Sequence, residues 1–158
     1  MKKPKVLVVI PARGGSKGVP RKNIRLVNGK PLVWYALNAA KVSGVIDRVV
    51  VSTEDKEIKE VVAELGGEVI DRPMELATDA SKTEPVMEHT LGVLEKSGYR
   101  PDYIALIQCT SPLLPPTVIK EAVSKVTESD KFDACIAAYY PDTYEFEWVK
   151  GEDGLIVP

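Results

Sequence analysis

The chain has 158 residues, the size of one domain, and a chain of that length can bury about 68–70% of the surface that it exposes when unfolded. With 44% hydrophobic and 28% charged residues the composition is that of a globular protein, and the formal net charge of −2 argues against nucleic acid or a membrane surface as a general partner. No apolar run approaches the ~18 residues of a membrane span, and the N-terminal residues lack the apolar length and cleavage site of a signal peptide, so we expect a cytoplasmic protein.

Short apolar runs rich in β-branched residues alternate along the chain with segments of helical periodicity. The predicted strands are residues 5–10, 47–52, 67–70, 103–108 and 133–140. The predicted helices are residues 31–44, the segment from the N-cap Thr53 to Gly66, residues 85–98, and the segment that follows Pro115 and Pro116 as far as Val126. Because right-handed crossovers join such alternating elements, we expect a mostly parallel sheet with helices on both faces, which is a three-layer α/β/α fold.

The two cysteines, Cys109 and Cys135, do not have the spacing of a metal site. Both lie in or beside apolar runs of the sequence. We therefore expect both to be buried, reduced thiols.

The loops that follow the predicted strands differ from the loops that precede them. After the first four strands come "PARGGSKGVPRKN", "STED", "DRPMELATDASKTEP" and "QCTSPLLPP", which carry polar or cationic groups beside glycine or proline. The loops that lead into the strands, such as "VSG" and "ELGG", have the composition of plain surface turns. In open α/β sheets ligands bind beyond the carboxyl ends of the strands. The binding site is therefore expected among the four loops that follow strands.

The first of these loops predicts a phosphate site. It places Arg13, Lys17, Arg21 and Lys22 around two adjacent glycines, and main-chain N–H groups with cations nearby suit an anion. The glycines fit neither the Walker A pattern nor the dinucleotide pattern G-x-G-x-x-G. The length of the loop, and Pro20, which disfavours direct continuation into a helix, favour a loop that wraps a triphosphate. The alternative is a solvated basic loop that binds nothing.

The segment "IPARGGSKGVPRKNI" closely resembles the N-terminal signature of the acylneuraminate cytidylyltransferases, the CMP-sialic acid synthetase family, whose pattern is close to I-P-A-R-x-G-S-K-x-x-x-x-K-N. The likeness continues through "GKPLVWYALNAA", "VSTED", "DRPMELATDASKT" and "LIQCTSPLL", and so extends from residue 5 to about residue 140. The resemblance implies a nucleotide-diphospho-sugar transferase-like fold and transfer of CMP from CTP to the anomeric hydroxyl of a sialic-acid-like 2-keto sugar acid, with release of pyrophosphate. It also implies Mg²⁺ as cofactor and a homodimer.

The resemblance assigns roles to individual residues. Arg13 and Lys22 match the family's catalytic cations on the nucleotide phosphates, Asn23 matches a residue that orders the nucleotide, and Gln108 matches a residue on the acceptor-sugar side. The further nucleotide contacts that it implies are Ala12, Gly14, Gly15, Ser16, Arg72, Ser81 and Thr83. Glycine at 14 and 15 would let main-chain N–H groups approach phosphate oxygens. Two alternatives stay open, since Thr83 could belong to the start of a helix and Gln108 could be a buried amide that closes a strand end.

The C-terminal end departs from the family pattern. Family members continue beyond residue 158 with a dimerisation segment, a late catalytic arginine and paired aspartates that hold Mg²⁺, and the spacing of Asp79, Asp102 and Asp142 nominates none of them as a metal ligand. The stretch "EFEWVKGEDGLIVP" predicts a hairpin that is cut short after its second strand begins. We therefore expect a CTP-binding nucleotidyltransferase domain at residues 1–140 and the start of a dimerisation and acceptor segment at residues 141–158.

Two other functions remain open at this point. One is a 3-deoxy-manno-octulosonate-type cytidylyltransferase, although "GGSKGVPRKN" favours the sialic-acid branch. The other is a catalytically silent nucleotide-binding fragment. The sequence does not decide whether the acceptor is N-acetylneuraminate, legionaminate, pseudaminate or another 2-keto sugar acid.

Overall fold

The computed structural model describes residues 3–129, 131–138, 149–150 and 156–157. Its strands and helices follow one another in nearly strict alternation. In chain order they are β1 (Val6–Pro11), β2 (Leu26–Val27), β3 (Lys30–Pro31), α1 (Leu32–Val42), β4 (Arg48–Thr53), α2 (Lys56–Glu64), β5 (Glu68–Asp71), α3 (Thr83–Lys96), β6 (Tyr103–Leu106), α4 (Pro116–Thr127), β7 (Val149–Lys150) and β8 (Ile156–Val157). Single 3₁₀ turns lie at Lys22–Ile24 and Met74–Leu76.

The main sheet has four parallel strands in the order β5-β4-β1-β6. Its central strand pairs on both sides, so that Val9 lies between Val50 of β4 and Leu106 of β6. The alternating residues of β1 face two different cores. Val8 and Ile10 pack with residues of α1, α2 and α4, whereas Leu7 and Val9 pack with residues of α3. Helices therefore cover both faces of the sheet, and the predicted three-layer α/β/α fold is confirmed.

The first four predicted strands and all four predicted helices are present within a few residues of their expected bounds. The predicted N-cap of α2 is wrong, because Asp55 rather than Thr53 caps the helix and accepts a hydrogen bond from the main-chain N–H of Ile58 at 2.9 Å. Thr53 is instead the last residue of β4, where it pairs with Asp71. The strand ends one residue later than predicted, and the N-cap of the helix therefore lies two residues later, at Asp55.

The fifth predicted strand, residues 133–140, is wrong over its described part. Residues 133–138 form no strand and are exposed. Their apolar composition suits a strand, but strand geometry is stabilised by hydrogen bonds to a neighbouring strand, and no described residue pairs with this stretch. Residues 139 and 140 lie outside the described part of the chain.

Near the C-terminus, β7 and β8 pair antiparallel, with Val149 opposite Val157, as the hairpin prediction required. The other residues of that stretch lie outside the described part of the chain. The expected domain boundary at residue 140 lies outside it as well. The longest described helix, α3, has 14 residues, and none of the helices that the structure describes has the length and apolar character of a bilayer span.

Candidate functional site

A cleft of about 630 Å³ lies beyond the carboxyl ends of β1, β5 and β6. Its walls come from the three loops that follow these strands, together with the first turn of α3. The lining residues are Pro11, Arg13, Ser16, Lys17, Gly18, Val19, Lys22, Asn23, Arg72, Leu76, Thr78, Asp79, Ser81, Lys82, Thr83, Val86, Gln108, Cys109 and Thr110. The cleft therefore occupies the place that parallel α/β topology assigns to a ligand.

Most of the side chains nominated from the sequence meet in this cleft. Those that line it are Arg13, Ser16, Lys22, Asn23, Arg72, Ser81, Thr83 and Gln108. Three nominated residues, Ala12, Gly14 and Gly15, are not among its lining residues. Ala12 is fully buried, and its main-chain N–H donates to the Ser52 carbonyl at 3.0 Å. Lys17, Asp79 and Lys82 line the cleft although they were not nominated as contacts.

The charge of the cleft is opposite to that of the whole chain. Its lining includes five cationic side chains and one carboxylate, whereas the chain has a formal net charge of −2. The cations are Arg13, Lys17, Lys22, Arg72 and Lys82, and the carboxylate is Asp79. Such a local excess of positive charge favours a polyanionic ligand.

Asp79 binds two of these cations at once. Its Oδ1 lies 2.7 Å from Nη1 of Arg13, and its Oδ2 lies 2.6 Å from Nζ of Lys17. Hydrogen bonds from Lys17 and Arg13 lower the pKa of the Asp79 carboxyl below its usual range. The loop after β5 thus supplies the counter-ion for the loop after β1. Asp79 was not singled out from the sequence because an exposed aspartate in a polar loop carries no pattern that distinguishes it.

The glycine-rich loop is anchored on its outer side by Arg21. This residue has a left-handed backbone with φ of 56°, and its guanidinium donates to both Asp55 oxygens at 2.6 and 2.7 Å and also to Glu57. The ion pair with Arg21 lowers the pKa of the Asp55 carboxyl to about 2. Arg21 is not among the residues that line the cleft.

The same anchor explains why residue 14 is glycine. A Cβ at Gly14 would overlap Oδ2 of Asp55 and lie 2.9 Å from its Cβ, which is closer than non-bonded carbon atoms approach one another. The Gly14 main-chain N–H donates to Oε1 of Glu54 at 2.7 Å. We expected the Gly14 N–H to face a phosphate, but in the structure it is already hydrogen-bonded to the Glu54 carboxylate. At Gly15 a Cβ would meet no atom within 4 Å.

Two nominated polar side chains hold the loops in shape. The buried Asn23 donates from Nδ2 to the Arg13 carbonyl at 2.9 Å, which fixes the main chain beside that cation. The Ser81 hydroxyl donates to the Glu75 carbonyl at 3.1 Å and accepts from the Thr78 main-chain N–H at the same distance. Thr83 is the first residue of α3, which agrees with its alternative role at a helix start.

Gln108 and the cysteines differ from some of the expectations. Gln108 is exposed, so its alternative role as a buried amide is wrong, and its side chain bonds to the Thr110 hydroxyl at 3.2 Å. Cys109 is buried, and burial raises the pKa of its thiol to about 12, which keeps it protonated at neutral pH. The expectation of burial is wrong for Cys135, which is exposed because residues 133–138 do not join the sheet.

No protein-built metal site is present in the described part of the chain, where His, Cys, Asp and Glu side chains form no group of three or more that could hold an ion. Asp79 is the one carboxylate among the lining residues that the structure describes, and both its oxygens are engaged by cations. Asp102 accepts a hydrogen bond from the Lys5 main-chain N–H and does not line the cleft, and Asp142 lies outside the described residues. These residues do not fit a dedicated Mg²⁺ site.

Comparisons with known proteins agree with one another. A family model described as cytidylyltransferase matches residues 7–145. A pseudaminic acid cytidylyltransferase of Campylobacter jejuni is 36% identical over 126 residues, which are 79% of this chain and 54% of that protein. An N-acylneuraminate cytidylyltransferase of Escherichia coli is 33% identical over 135 residues, which are 84% of this chain and 31% of that protein. The chain thus spans about half the length of the first relative and about a third of the second.

A solved structure shares the fold. It is that of a CMP:2-keto-3-deoxy-manno-octonic acid synthetase complexed with CTP, and it aligns with a TM-score of 0.68 at 23% identity over 80% of this chain and 49% of that one. At this level of identity the likeness concerns the fold, and it supports the three-layer nucleotidyltransferase architecture.

Proposed function

The chain belongs to the cytidylyltransferase family, and we propose that it transfers CMP from CTP to the anomeric hydroxyl of a sialic-acid-like 2-keto sugar acid, with release of pyrophosphate. The family is the one that the sequence motifs predicted. The observation that carries the proposal is the cleft itself, in which five cationic side chains meet at the carboxyl end of a parallel sheet in a chain of negative net charge.

The cations of the first loop suit the leaving group of this reaction. The acceptor oxygen forms a bond to the α-phosphorus while the bond from that phosphorus to pyrophosphate breaks, and the hydroxyl proton passes to solvent. Negative charge then grows on the pyrophosphate oxygens, and guanidinium and ammonium groups fixed beside them stabilise it more than they stabilise bound CTP. We assign this role to Arg13 and Lys22, with Lys17 as a third cation on the same loop.

The other walls of the cleft suit the nucleoside and the acceptor. Arg72, Ser81 and Thr83 line the side formed by the loop after β5 and the start of α3, and we assign them to the nucleotide. Gln108 follows β6 and is exposed at the opposite wall, where its amide can donate to and accept from sugar hydroxyls. In this arrangement CTP lies between the two loops and the acceptor enters beside Gln108.

Mg²⁺ enters the proposal only as a companion of the triphosphate. Phosphate and water oxygens commonly supply most of the ligands of Mg²⁺ at nucleotide sites, and the described side chains do not form a site of their own. A homodimer and a cytoplasmic location are further proposals that rest on the family resemblance.

A nucleotide-binding segment without catalytic activity is the second candidate. One observation favours it, since Gln108 is the single nominated acceptor contact that the described cleft contains.

Two measurements separate these functions. Calorimetric titration with CTP tests binding, and pyrophosphate release tests transfer with N-acetylneuraminate, legionaminate, pseudaminate and 3-deoxy-manno-octulosonate as acceptors. Release with one of the nine-carbon acids supports the proposal, whereas release with the octulosonate alone supports the related cytidylyltransferase. CTP binding without release for any acid supports the silent segment, and absence of CTP binding contradicts all three.

A further inference from the structure

We propose that Glu54 is a positioning residue of the nucleotide site, whose carboxylate sets the geometry of Arg72 and of the glycine-rich loop together. The inference rests on the proposed function for the identity of the ligand, but its evidence is the geometry around one side chain. Glu54 does not line the cleft. The family resemblance assigned it no role.

Glu54 joins two loops that approach the cleft from different strands. It follows β4, and its Oε1 accepts from the main-chain N–H of Gly14 at 2.7 Å, while its Oε2 accepts from Nη2 of Arg72 at 2.6 Å. The side chains of Arg72 and Glu54 are only 3% and 9% exposed. One carboxylate thus fixes the loop after β1 relative to the loop after β5.

The bond to Glu54 engages only the Nη2 group of the Arg72 guanidinium. A guanidinium has five N–H donors, and Nε of Arg72 is buried without a partner among the described residues. An unpaired buried donor is costly, and Arg72 lines the cleft, where an anionic or carbonyl oxygen of a ligand could satisfy it. Glu54 therefore orients a cation whose Nε has no hydrogen-bond partner among the described residues.

A second arginine–glutamate pair shows what an ordinary structural pair looks like in this sheet. Arg48 and Glu68 stand at the first positions of β4 and β5, at the end of the sheet opposite the cleft. Arg48 donates both Nε and Nη2 to the Glu68 carboxylate, at 2.9 and 2.6 Å. Arg72 donates only Nη2, because the other Glu54 oxygen is bound to Gly14. The division of the Glu54 carboxylate between two loops is what distinguishes it.

The test replaces each glutamate with its neutral isostere. In Glu54→Gln the amide keeps one acceptor oxygen but turns an NH₂ group toward a second donor, so the two loops can no longer be held together. We expect the Kd for CTP and the Kd for inorganic pyrophosphate both to rise about tenfold, as for the loss of one charged hydrogen bond. Glu68→Gln is the matched control, and it should lower the melting temperature while leaving both Kd values within about twofold of wild type.

Glu54→Asp provides a second variant in case the glutamine variant does not fold. It keeps the negative charge but is one methylene too short to reach both donors, and the same loss of CTP affinity is expected at a temperature well below its melting point. Wild-type affinity in either folded Glu54 variant would overturn the positioning role while leaving the proposed function intact. If the wild-type protein binds neither CTP nor pyrophosphate, both the proposed function and this inference fail.

Discussion

Asp79 spans the cleft to Arg13, with its Oδ1 2.7 Å from the guanidinium Nη1, and the same carboxylate reaches Lys17. A carboxylate and a phosphate present similar oxygens to a guanidinium. Phosphate groups that enter the cleft must therefore compete with Asp79 for these two cations. The competition can be measured, because it should weaken the binding of phosphate ligands.

Removal of the Asp79 charge should strengthen binding of polyphosphates. In Asp79→Asn the two cations lose their counter-ion, so we expect the Kd for inorganic pyrophosphate to fall several-fold at low ionic strength, and the gain to shrink in high salt because these groups are exposed. Glu60→Gln, on the exposed face of α2, removes the same charge far from the cleft and should leave the Kd unchanged. Weaker binding in the Asp79 variant would show instead that this carboxylate contributes to the ligand site.

Arg13 and Lys22 should each contribute strongly to CTP affinity. We expect Arg13→Ala and Lys22→Ala to weaken CTP binding by about 1.5–3 kcal/mol each, the range for a hydrogen bond to a charged group, with little change in melting temperature. Arg21→Ala removes a cation of the same loop whose guanidinium is held by Asp55 outside the cleft, so it should lower the melting temperature more than it weakens CTP binding. Calorimetric titration that gives equal CTP affinity for wild type and both variants would exclude the phosphate role.

The two glycines of the loop should differ sharply in their tolerance of a methyl group. Gly14→Ala places a Cβ against the Asp55 side chain, which must then leave its place at the start of α2. We expect a loss of about 1–3 kcal/mol in the free energy of unfolding, as for overpacking elsewhere. Gly15→Ala meets no neighbour and should be close to neutral. Urea unfolding of the two variants measures the difference, and equal stabilities would contradict the packing at Gly14.

The sequence predicted this loop as a phosphate site but not the contacts that shape it. Strand and helix periodicity depend on local patterns, which is why the four main strands and α1 to α4 were predictable. The bonds from Gly14 to Glu54 and from Arg21 to Asp55 join residues 34 to 40 positions apart in the chain. No spacing rule connects such residues, because only the register of β1 on β4 brings their loops together.

Residues 133–138, which were predicted as a strand and form none, show a second limit of prediction from local sequence. Its composition favours a strand, but a strand needs a neighbour that the composition of the segment does not specify. Strand β6 lies at the edge of the sheet that the described residues form, and it shows the same dependence. Its sequence is typical of a strand covered on both faces, but Ile104 and Leu106 are 41% and 42% exposed. Local pattern alone therefore determined neither whether residues 133–138 would form a strand nor whether β6 would be covered.

Asp55 should contribute stability that disappears in acid. Its pKa in the folded chain is lowered to about 2 by Arg21, against about 3.9 when unfolded. The stabilisation is thus complete above pH 4 and is lost as the pH falls from about 4 to about 2. Allowing for solvent screening of the partly exposed pair, we expect about 1 kcal/mol. Asp55→Asn, which can still cap α2, should lose less stability over that interval, and an identical pH dependence of the urea midpoint would contradict the assignment.

Selection of the base should be visible as a difference in protection against unfolding. A site for cytosine forms hydrogen bonds with the ring edge through fixed polar groups and excludes purines by size. Arg72, Ser81 and Thr83 lie on the wall of the cleft that we assign to the nucleoside. A ligand at 100 times its Kd stabilises the folded state by about 2.7 kcal/mol, so CTP should raise the melting temperature more than ATP or GTP at equal concentration. Inorganic pyrophosphate, which lacks a base, separates the contribution of the phosphates. Because all three nucleotides share the triphosphate, equal protection by CTP, ATP and GTP would show that the cleft recognises phosphate alone and would contradict the proposed selectivity for cytidine.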